Sequence, residues 1–542
     1  MPFNLLQDPF FPVVTRTGAR RWSTFPELAA AGDDEPVDFD WPRADFNIAA
    51  LEFALGVATL AFQPLKASDW LRLWNDPPGP EATRDALAPF VHAFALDGEG
   101  PRFLQELDGL DGETNPIEAL LIDTPGANGQ KKNADVLTHR DRYPALGLPA
   151  AAMALYVMQQ FAPAGGAGNR TSMRGGGPLS TFAIPGARPS LWRIVLANLP
   201  QHANLEFDAE DLPKILPWLA PTLVSDKARG ERPVHETDAD AHPLQAFFGM
   251  PRRVALRFAG AGVCQITGEA GPLVDGFVQK PWGVNYGLWR HPATPYRRQK
   301  QGAEPYSVKP KSARFGYRDW TPVVVGETEG AIAHPAEILK LARQRAPSLR
   351  GSGGVDASLR AAGWAMNNME AVAYLCAEQP LHLAANEAAQ DALDIAAKRA
   401  TRAAEAAVGM LVHALRAALF SEGAKPATDR ALFEEARAAF YNATEDAFHD
   451  RLNARLEAPE ADGEVSAREW LNLLQRAAFA AFAAGAPIPL GDALRARRVA
   501  KAFRDLRAGF SGFGKSGQAL FQMLELPLPE TTTARKGKRN GK

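Results

Sequence analysis

Between Leu381 and Phe420 the chain reads LHLAANEAAQDALDIAAKRATRAAEAAVGMLVHALRAALF. Alanine, the strongest helix former, recurs throughout, and apolar positions return every three or four residues, the spacing that lines one face of an α-helix. The pattern continues over Thr428 to Leu456, Ser466 to Ala484 and Leu490 to Ala508, with short Gly/Pro turns between. Four such helices pack most simply as a bundle. Upstream of Gln379 the texture changes to short β-like runs, glycine-rich loops and isolated helices. The chain therefore reads as α+β: a large mixed domain over 1–378, a four-helix bundle over 379–528 and a disordered basic tail over 529–542, with Gly351 to Gly354 as a flexible link.

The last bundle helix is basic, with Arg495, Arg497, Arg498, Lys501, Arg504 and Arg507. Just beyond it, Gly509 to Ser516 reads GFSGFGKS and satisfies the letters of a phosphate-binding P-loop. That loop works only between a strand and a helix, and here a helix precedes it, which argues against nucleotide hydrolysis.

Within the mixed domain, a pair of loops flanks an apolar helix, Pro149 to Phe161. The first, Gly126 to Asn133, carries Asn128, Gly129, Lys131 and Lys132; the second, Gly165 to Gly177, carries Gly166, Ala167, Gly168, Asn169, Arg170 and Arg174. Glycine lets backbone approach a ligand closely and reaches positive φ freely, so exposed N–H groups can line a cavity suited to phosphate, with Lys131, Lys132, Arg170 and Arg174 as the matching positive field. Ordinary surface loops, in which glycine only turns the chain, are the alternative.

Of 542 residues, 46% are hydrophobic and 23% charged, the composition of a soluble globular protein of two or three domains. The 60 basic and 62 acidic side chains leave a net charge of −2, so affinity for nucleic acid has to come from local clusters. Cys264 and Cys376, each among apolar neighbours, read as buried free thiols and offer no disulfide framework. No secretory signal and no uninterrupted apolar span is present, so a cytoplasmic protein without membrane contact is expected.

Phe3 to Val14, broken by prolines, reads as an edge strand; Thr24 to Ala30 as a short helix; Asn47 to Phe62 as an amphipathic helix with Ile48, Leu51, Leu55 and Val57 inward; and Trp192 to Val195 and Val254 to Phe258 as strands. His235, Glu236, Asp238, Asp240 and His242 have metal-ligand chemistry but sit in a loop next to Pro233, which favours solvated side chains over a metal site. From Lys280 to Arg318 nine basic residues face Glu304 alone, with Trp282, Tyr286, Trp289, Tyr296, Tyr306, Phe315 and Tyr317 interleaved. Cations neutralise phosphates and rings pack on bases or sugars, so the mixture suits nucleic acid; a hairpin with core aromatics is the alternative.

The opening FNLLQDPFFPV, the loop TPGANGQKKNAD, the segment GGAGNRTSMRGGGPLSTF, the run KPWGVNYGLWRHP and GWAMNNMEA occur in this order over most of the first 380 residues. Together they resemble the CasA family, large subunit of the type I-E CRISPR surveillance complex Cascade, whose members end in a four-helix bundle. The resemblance implies a non-catalytic reader without cofactor. It would inspect double-stranded DNA for the protospacer-adjacent motif (PAM) through the minor groove and promote duplex opening and R-loop formation. It would also dock the helicase-nuclease, while base pairing to guide RNA reads the long sequence.

By the same resemblance Lys280 matches the family's lysine finger, Gly165, Gly166, Ala167 and Gly168 its glycine loop, and Asn367, Asn368 and Met369 the hairpin that wedges into the duplex. Some members place glutamine where this chain has Met369; methionine is itself a suitable apolar wedge. The loop holding Gly126, Asn128, Lys131, Lys132 and Asn133 corresponds to the one that meets the 5′ end of the guide RNA and the neighbouring Cascade subunit. Where some relatives carry a CxxC this chain has Gly147 and Ala150, so no zinc is expected there. A phosphate-handling or metal-dependent hydrolase built on the glycine loops, the His235 to His242 cluster or the P-loop lookalike is the competing class.

Overall fold

The computed structural model describes residues 2–126, 131, 139–166, 168–226, 232–287, 289–312, 314–326, 332–350, 357–420, 430–458, 463–489 and 491–529. The chain divides into two compact units, Met1–Phe315 with Pro322–Leu383, and Gly316–Thr321 with Ala384–Lys542. The first is mixed and the second helical, the α+β arrangement expected from the sequence.

The first unit is organised around the helix Ala44–Phe62. Ile48, Leu51, Leu55 and Val57 are buried as expected, but so are Phe46, Phe53, Ala54 and Leu60, so the helix is enclosed on all sides and not amphipathic. The Phe53 ring meets those of Phe10, Phe11, Phe94, Phe103 and Tyr156 at centroid separations of 5.4 to 6.1 Å. Most of these contacts are edge-to-face, the arrangement the ring quadrupole favours. Among the described residues this is the one helix long and apolar enough to cross a bilayer, and 83% of its most apolar window is buried within the protein.

Among the described residues this unit also holds four small antiparallel sheets. β1 (Phe11–Thr15) lies between β2 (Arg20–Ser23) and β3 (Pro36–Phe39). The prolines suggest an edge strand; β1 is instead central, because a proline near a strand's start removes one donor without ending the pairing, and the Pro12 carbonyl still accepts from the Asp40 amide at 2.8 Å. In the second sheet β8 (Ala270–Lys280) runs beside β7 (Arg253–Val263) and on its other side carries β4 (Thr114–Pro116) and β5 (Leu146–Gly147). The third has the order β13 (Glu370–Pro380), β12 (Ser358–Asn367), β6 (Ser180–Ile184). The fourth places β9 (Tyr296–Arg298) between β10 (Tyr306–Ser307) and β11 (Ile332–His334).

Three local expectations need correction. Trp192 to Val195 is not a strand but belongs to the helix Leu191–Asn198, started by Ser190, whose hydroxyl accepts from the Arg193 amide at 3.1 Å. That cap outweighs the β propensity of the residues after it. Thr24 to Ala30 contributes one 3₁₀ turn, Pro26–Ala29. Cys264 is buried as expected, but Cys376 is exposed, because alternation along β13 turns it to the open face.

The second unit contains the helices Glu387–Leu419, Arg430–Asn442, Glu445–Glu457, Glu464–Gly485, Ala493–Phe510 and Gly514–Met523 among its described residues. What reads as one helix over Thr428 to Leu456 breaks at Ala443 and Thr444. The Thr444 hydroxyl donates to the Phe440 carbonyl at 3.0 Å and lies 2.9 Å from the Tyr317 hydroxyl. Tyr317 and Trp320 enter from the detached stretch Gly316–Thr321, and the Tyr317 ring stacks on Phe448 at 4.5 Å.

Candidate nucleic-acid interface

The glycine loop begins as a tight turn in which the Asn169 amide donates to the Gly166 carbonyl at 2.7 Å. Gly166 (φ +64°) and Gly168 (φ +82°) both occupy the left-handed region that only glycine enters without strain. Their surroundings differ. A Cβ on Gly166 would meet nothing within 4 Å, whereas one on Gly168 would stand 2.7 Å from the Trp282 ring. Gly165 is exposed like Gly166, and Ala167 lies outside the described residues.

Trp282 ties this loop to the end of β8. Its backbone amide donates to the Gly168 carbonyl at 2.9 Å, and three residues earlier the Gln279 side-chain amide donates to the Asn169 side-chain oxygen at 2.8 Å. Between those two attachment points, at the end of β8, sits Lys280. It is half-buried, opposite Arg253 in the ladder, with its ammonium against Gly112, where a Cβ would lie 3.1 Å away. Arg253 is engaged by Glu106 at 3.1 Å, while Lys280 has no ion-pair partner among the described residues.

The far end of the same glycine-rich stretch meets the hairpin of β12 and β13. Gly177 (φ +62°) lies against the Trp364 carbonyl, and a Cβ there would also come within 2.8 Å of Met366 Cγ. The hairpin closes on the two residues Asn368 (φ +48°) and Met369 (φ +69°), between the paired Asn367 and Glu370. Two positive φ values in a two-residue connection describe a type I′ turn, in which the second position favours glycine; Met369 occupies it strained and 47% exposed. The stretch 165–177 thus touches the Lys280 strand at one end and the hairpin at the other, all inside the first unit.

Two of the cations expected to make a positive field here have structural duties. Arg174 is buried, its guanidinium donating to Glu52 and, at 3.2 and 3.1 Å, to the Ser180 and Thr294 hydroxyls; the side chains of Arg174 and Glu52 are 1% and 0% exposed. It fixes the glycine stretch to the core helix. Burial and the neighbouring Arg174 charge hold His291, beside Glu52, well below the usual imidazole range, and burial raises the Tyr156 phenol. Arg170 lies over the Trp282 ring at 5.1 Å and donates to the Ser225 hydroxyl and carbonyl at 3.0 and 2.9 Å.

The other loop is held at its stem. The Glu118 carboxylate accepts from the Asp141 and Tyr143 amides, both at 3.3 Å, and its carbonyl accepts from the Thr124 hydroxyl at 2.6 Å. Arg43 bridges Asp45 and Asp123 at 2.9 and 2.7 Å. Gly126 and Lys131 are exposed; Asn128, Lys132 and Asn133 lie outside the described residues. A cleft of about 380 Å³ separates this stem from the hairpin strands, with Arg43, Asp123, Arg142, Tyr143, Trp364 and Tyr374 on its walls.

Other expectations resolve into structural roles. Of the aromatics between Lys280 and Arg318, Trp289, Tyr296, Phe315 and Tyr317 are buried, leaving Tyr306 exposed and Trp282 and Tyr286 half-buried, so no extended stacking surface forms among the described residues. His242 Nδ1 accepts from the Leu244 amide at 3.2 Å, the Asp238 carboxylate accepts from the His235 amide at 3.0 Å, and Asp240 pairs with Arg232 at 3.0 Å. The P-loop lookalike is the turn of a helical hairpin: the Gly512 and Phe513 amides donate to the Gly509 and Ala508 carbonyls, each at 3.0 Å, and so do not point at a phosphate.

Residue composition alone does not single out Gln279, Glu52 or Glu118, and it gives no structural role for Trp282 or Asn169. Glu52 has a readable signal, a lone acid in an otherwise apolar helix, since a buried carboxylate demands a buried cation. The attachments through Asn169, Gln279 and Trp282 join residues more than a hundred positions apart and leave no local trace.

Solved CRISPR-associated proteins share this architecture. CasA of Thermus thermophilus is 20% identical, with 94% of this chain and 99% of that one covered at a TM-score of 0.67. Cse1 from Acidimicrobium ferrooxidans is 19% identical over 97% and 99% of the two chains at a TM-score of 0.66. A chain of a CRISPR RNA-guided surveillance complex is 16% identical over 93% and 99% at 0.68. The fold is that of the solved CasA and Cse1 proteins. The CRISPR-associated protein Cse1 family matches residues 4–481, and the chain belongs to it, the CasA family of type I-E Cascade.

Proposed function

We propose that this chain is the non-catalytic subunit of an RNA-guided antiviral complex that reads a short motif in duplex DNA from the minor groove, starts strand separation beside it, and recruits the helicase-nuclease. One observation carries the reading: a single glycine-rich stretch is fastened at one end beside Lys280, whose charge is unpaired among the described residues, and at the other to the exposed Asn368–Met369 turn. A lysine ammonium can donate to purine N3 or pyrimidine O2, acceptors that A·T and T·A pairs present alike in the minor groove, so recognition by Lys280 is tolerant. The bare backbone at Gly165 and Gly166 fits close approach to the groove, where a guanine N2 amino group is felt by contact. Met369 supplies an apolar wedge for unstacking the adjacent step. The loop Gly126 to Asn133, on its braced stem, takes the guide-RNA end and the adjoining subunit. The complex acts in the cytoplasm.

The test is Lys280→Ala in the assembled complex, measured on motif-bearing and motif-free duplex. Affinity for the motif-bearing duplex falls about tenfold or more, with thermal melting unchanged. Equal affinity of variant and parent for the motif-bearing duplex would remove the reading.

A further inference from the structure

Gly165 is a glycine for a different reason from Gly166 and Gly168. Its φ is not positive, but a Cβ on it would stand 2.9 Å from Arg252 Nη1 and 2.9 Å from Asn169 Cβ. The missing side chain makes room for a guanidinium. Arg252 immediately precedes β7 and is buried. Its Nε donates to the Arg170 carbonyl and its Nη2 to the Pro163 carbonyl, each at 2.6 Å, so one side chain ties together both ends of the glycine loop.

The Arg252 backbone is fixed in turn by Gln159, which is fully buried in the helix Leu148–Phe161. The Gln159 side-chain oxygen accepts from the Arg252 amide at 3.0 Å, and its side-chain amide donates to the Arg252 carbonyl at 2.9 Å. The next residue, Arg253, is the ladder partner of Lys280. Neighbouring residues of one strand thus set the position of both the loop and the lysine.

Arg174, equally buried, is neutralised by Glu52. Arg252 has no carboxylate partner among the described residues; burial pulls it down to about 10, and it stays charged at neutral pH. Burying a cation without an acid costs stability. The carbonyls it serves belong to half-buried residues of a surface loop, and an apolar side chain of the same length would fill the space. What the guanidinium adds is a rigid fork making two charge-assisted bonds of fixed geometry.

We infer that Arg252 is a positioning residue for motif reading, stapling the loop from Pro163 to Arg170 into the shape that meets the groove before DNA arrives. What the loop meets rests on the proposed function; the staple itself does not. A loop already ordered gives up less conformational freedom on binding, a gain realised only on the duplex that the loop reads.

The experiment measures affinity of the assembled complex for motif-bearing and motif-free duplex, and hydrogen exchange in the full chain. Arg252→Met keeps the length of the side chain but neither its donors nor its charge. It weakens binding of the motif-bearing duplex by about tenfold, the equivalent of ordering roughly one residue of backbone, and leaves the motif-free duplex at the parental value. Amides over 163–170 exchange faster, while those of β8 do not. Arg252→Lys, with one nitrogen in place of the fork, falls between methionine and parent on both readouts, and decides the matter should the methionine variant fail to assemble. Parental affinity for the motif-bearing duplex overturns the inference. So does an equal loss on the two duplexes, which marks a purely structural role, or unchanged exchange over 163–170. Lys280→Ala is measured alongside. If it too binds the motif as the parent does, the reading of the site has failed, and exchange over 163–170 still decides whether the staple exists.

Discussion

Gly166 and Gly168 differ by two positions and have nearly the same left-handed backbone, yet alanine at each should have different consequences. Either substitution places an L side chain at positive φ, which costs about 1 to 2 kcal/mol. At Gly166 that is the whole effect on the fold, since a Cβ there would find open space. At Gly168 the methyl would lie 2.7 Å from the Trp282 ring, well inside ordinary contact. Either the ring or the loop has to shift, adding about 1 to 3 kcal/mol of overpacking. Gly168→Ala should therefore melt lower than Gly166→Ala, by about 1 to 6 °C if each kcal/mol corresponds to roughly 1 to 2 °C in a unit of this size. In a Trp282→Ala background the two substitutions should become equal, because the colliding ring is gone. Differential scanning calorimetry on the two single variants, Trp282→Ala and the two doubles closes the cycle. Motif binding in the assembled complex gives the second readout: on the proposed function, Gly166→Ala should weaken it by more than its loss of stability accounts for, because a Cβ there projects into open space on the proposed DNA-facing side. Equal melting of the two glycine variants, or persistence of their difference without Trp282, would refute the packing on which the site was built.

Arg174→Met should destabilise by about 3 to 5 kcal/mol by leaving Glu52 buried without its cation, and adding Glu52→Gln should recover some of the loss, as chemical denaturation can show. Stability should fall on acidification through His291: its folded pKa lies below the ordinary 6.5, so the unfolded chain binds the extra proton. Full stability is thus present above about pH 6.5 and is lost toward the folded value, at up to about 1.4 kcal/mol per pH unit, a dependence that His291→Gln should flatten. Met369→Gly should raise stability by about 1 kcal/mol by relieving the strained second position of the turn, and it should slow strand opening if the side chain is the wedge; stopped-flow with a base-analogue fluorophore separates the two effects.

The division of labour between β-rich and helical regions is legible in the sequence because it is written in local periodicity and alanine content, which persist over many turns. The glycine loop is legible for a related reason, since Gly165 to Gly177 is unusual over a few residues, whereas the hairpin at Asn367 to Met369 is reached only through the family resemblance. Local reading fails at Trp192 to Val195, where one serine decides between strand and helix, and at Arg174, whose role depends on Glu52 far back in the chain. The aromatics from Trp289 to Tyr317 look like a surface when set among so many cations, yet rings of that size more often go to the interior, and most do. What stays hidden is the joining of distant segments. Asn169 to Gln279 and Gly177 to Trp364 are three-dimensional facts with no spacing to announce them.

Gly316–Thr321 has a practical consequence. These six residues leave the mixed unit, seat Tyr317 and Trp320 among Thr444, Phe448 and Trp470, and return the chain to where it came from. The helical unit is therefore not a module that a cut near Ala384 can excise: such a fragment would open a hole the size of two large rings in its own interior. It would regain a sound core only if a peptide spanning Gly316–Thr321 were supplied in trans.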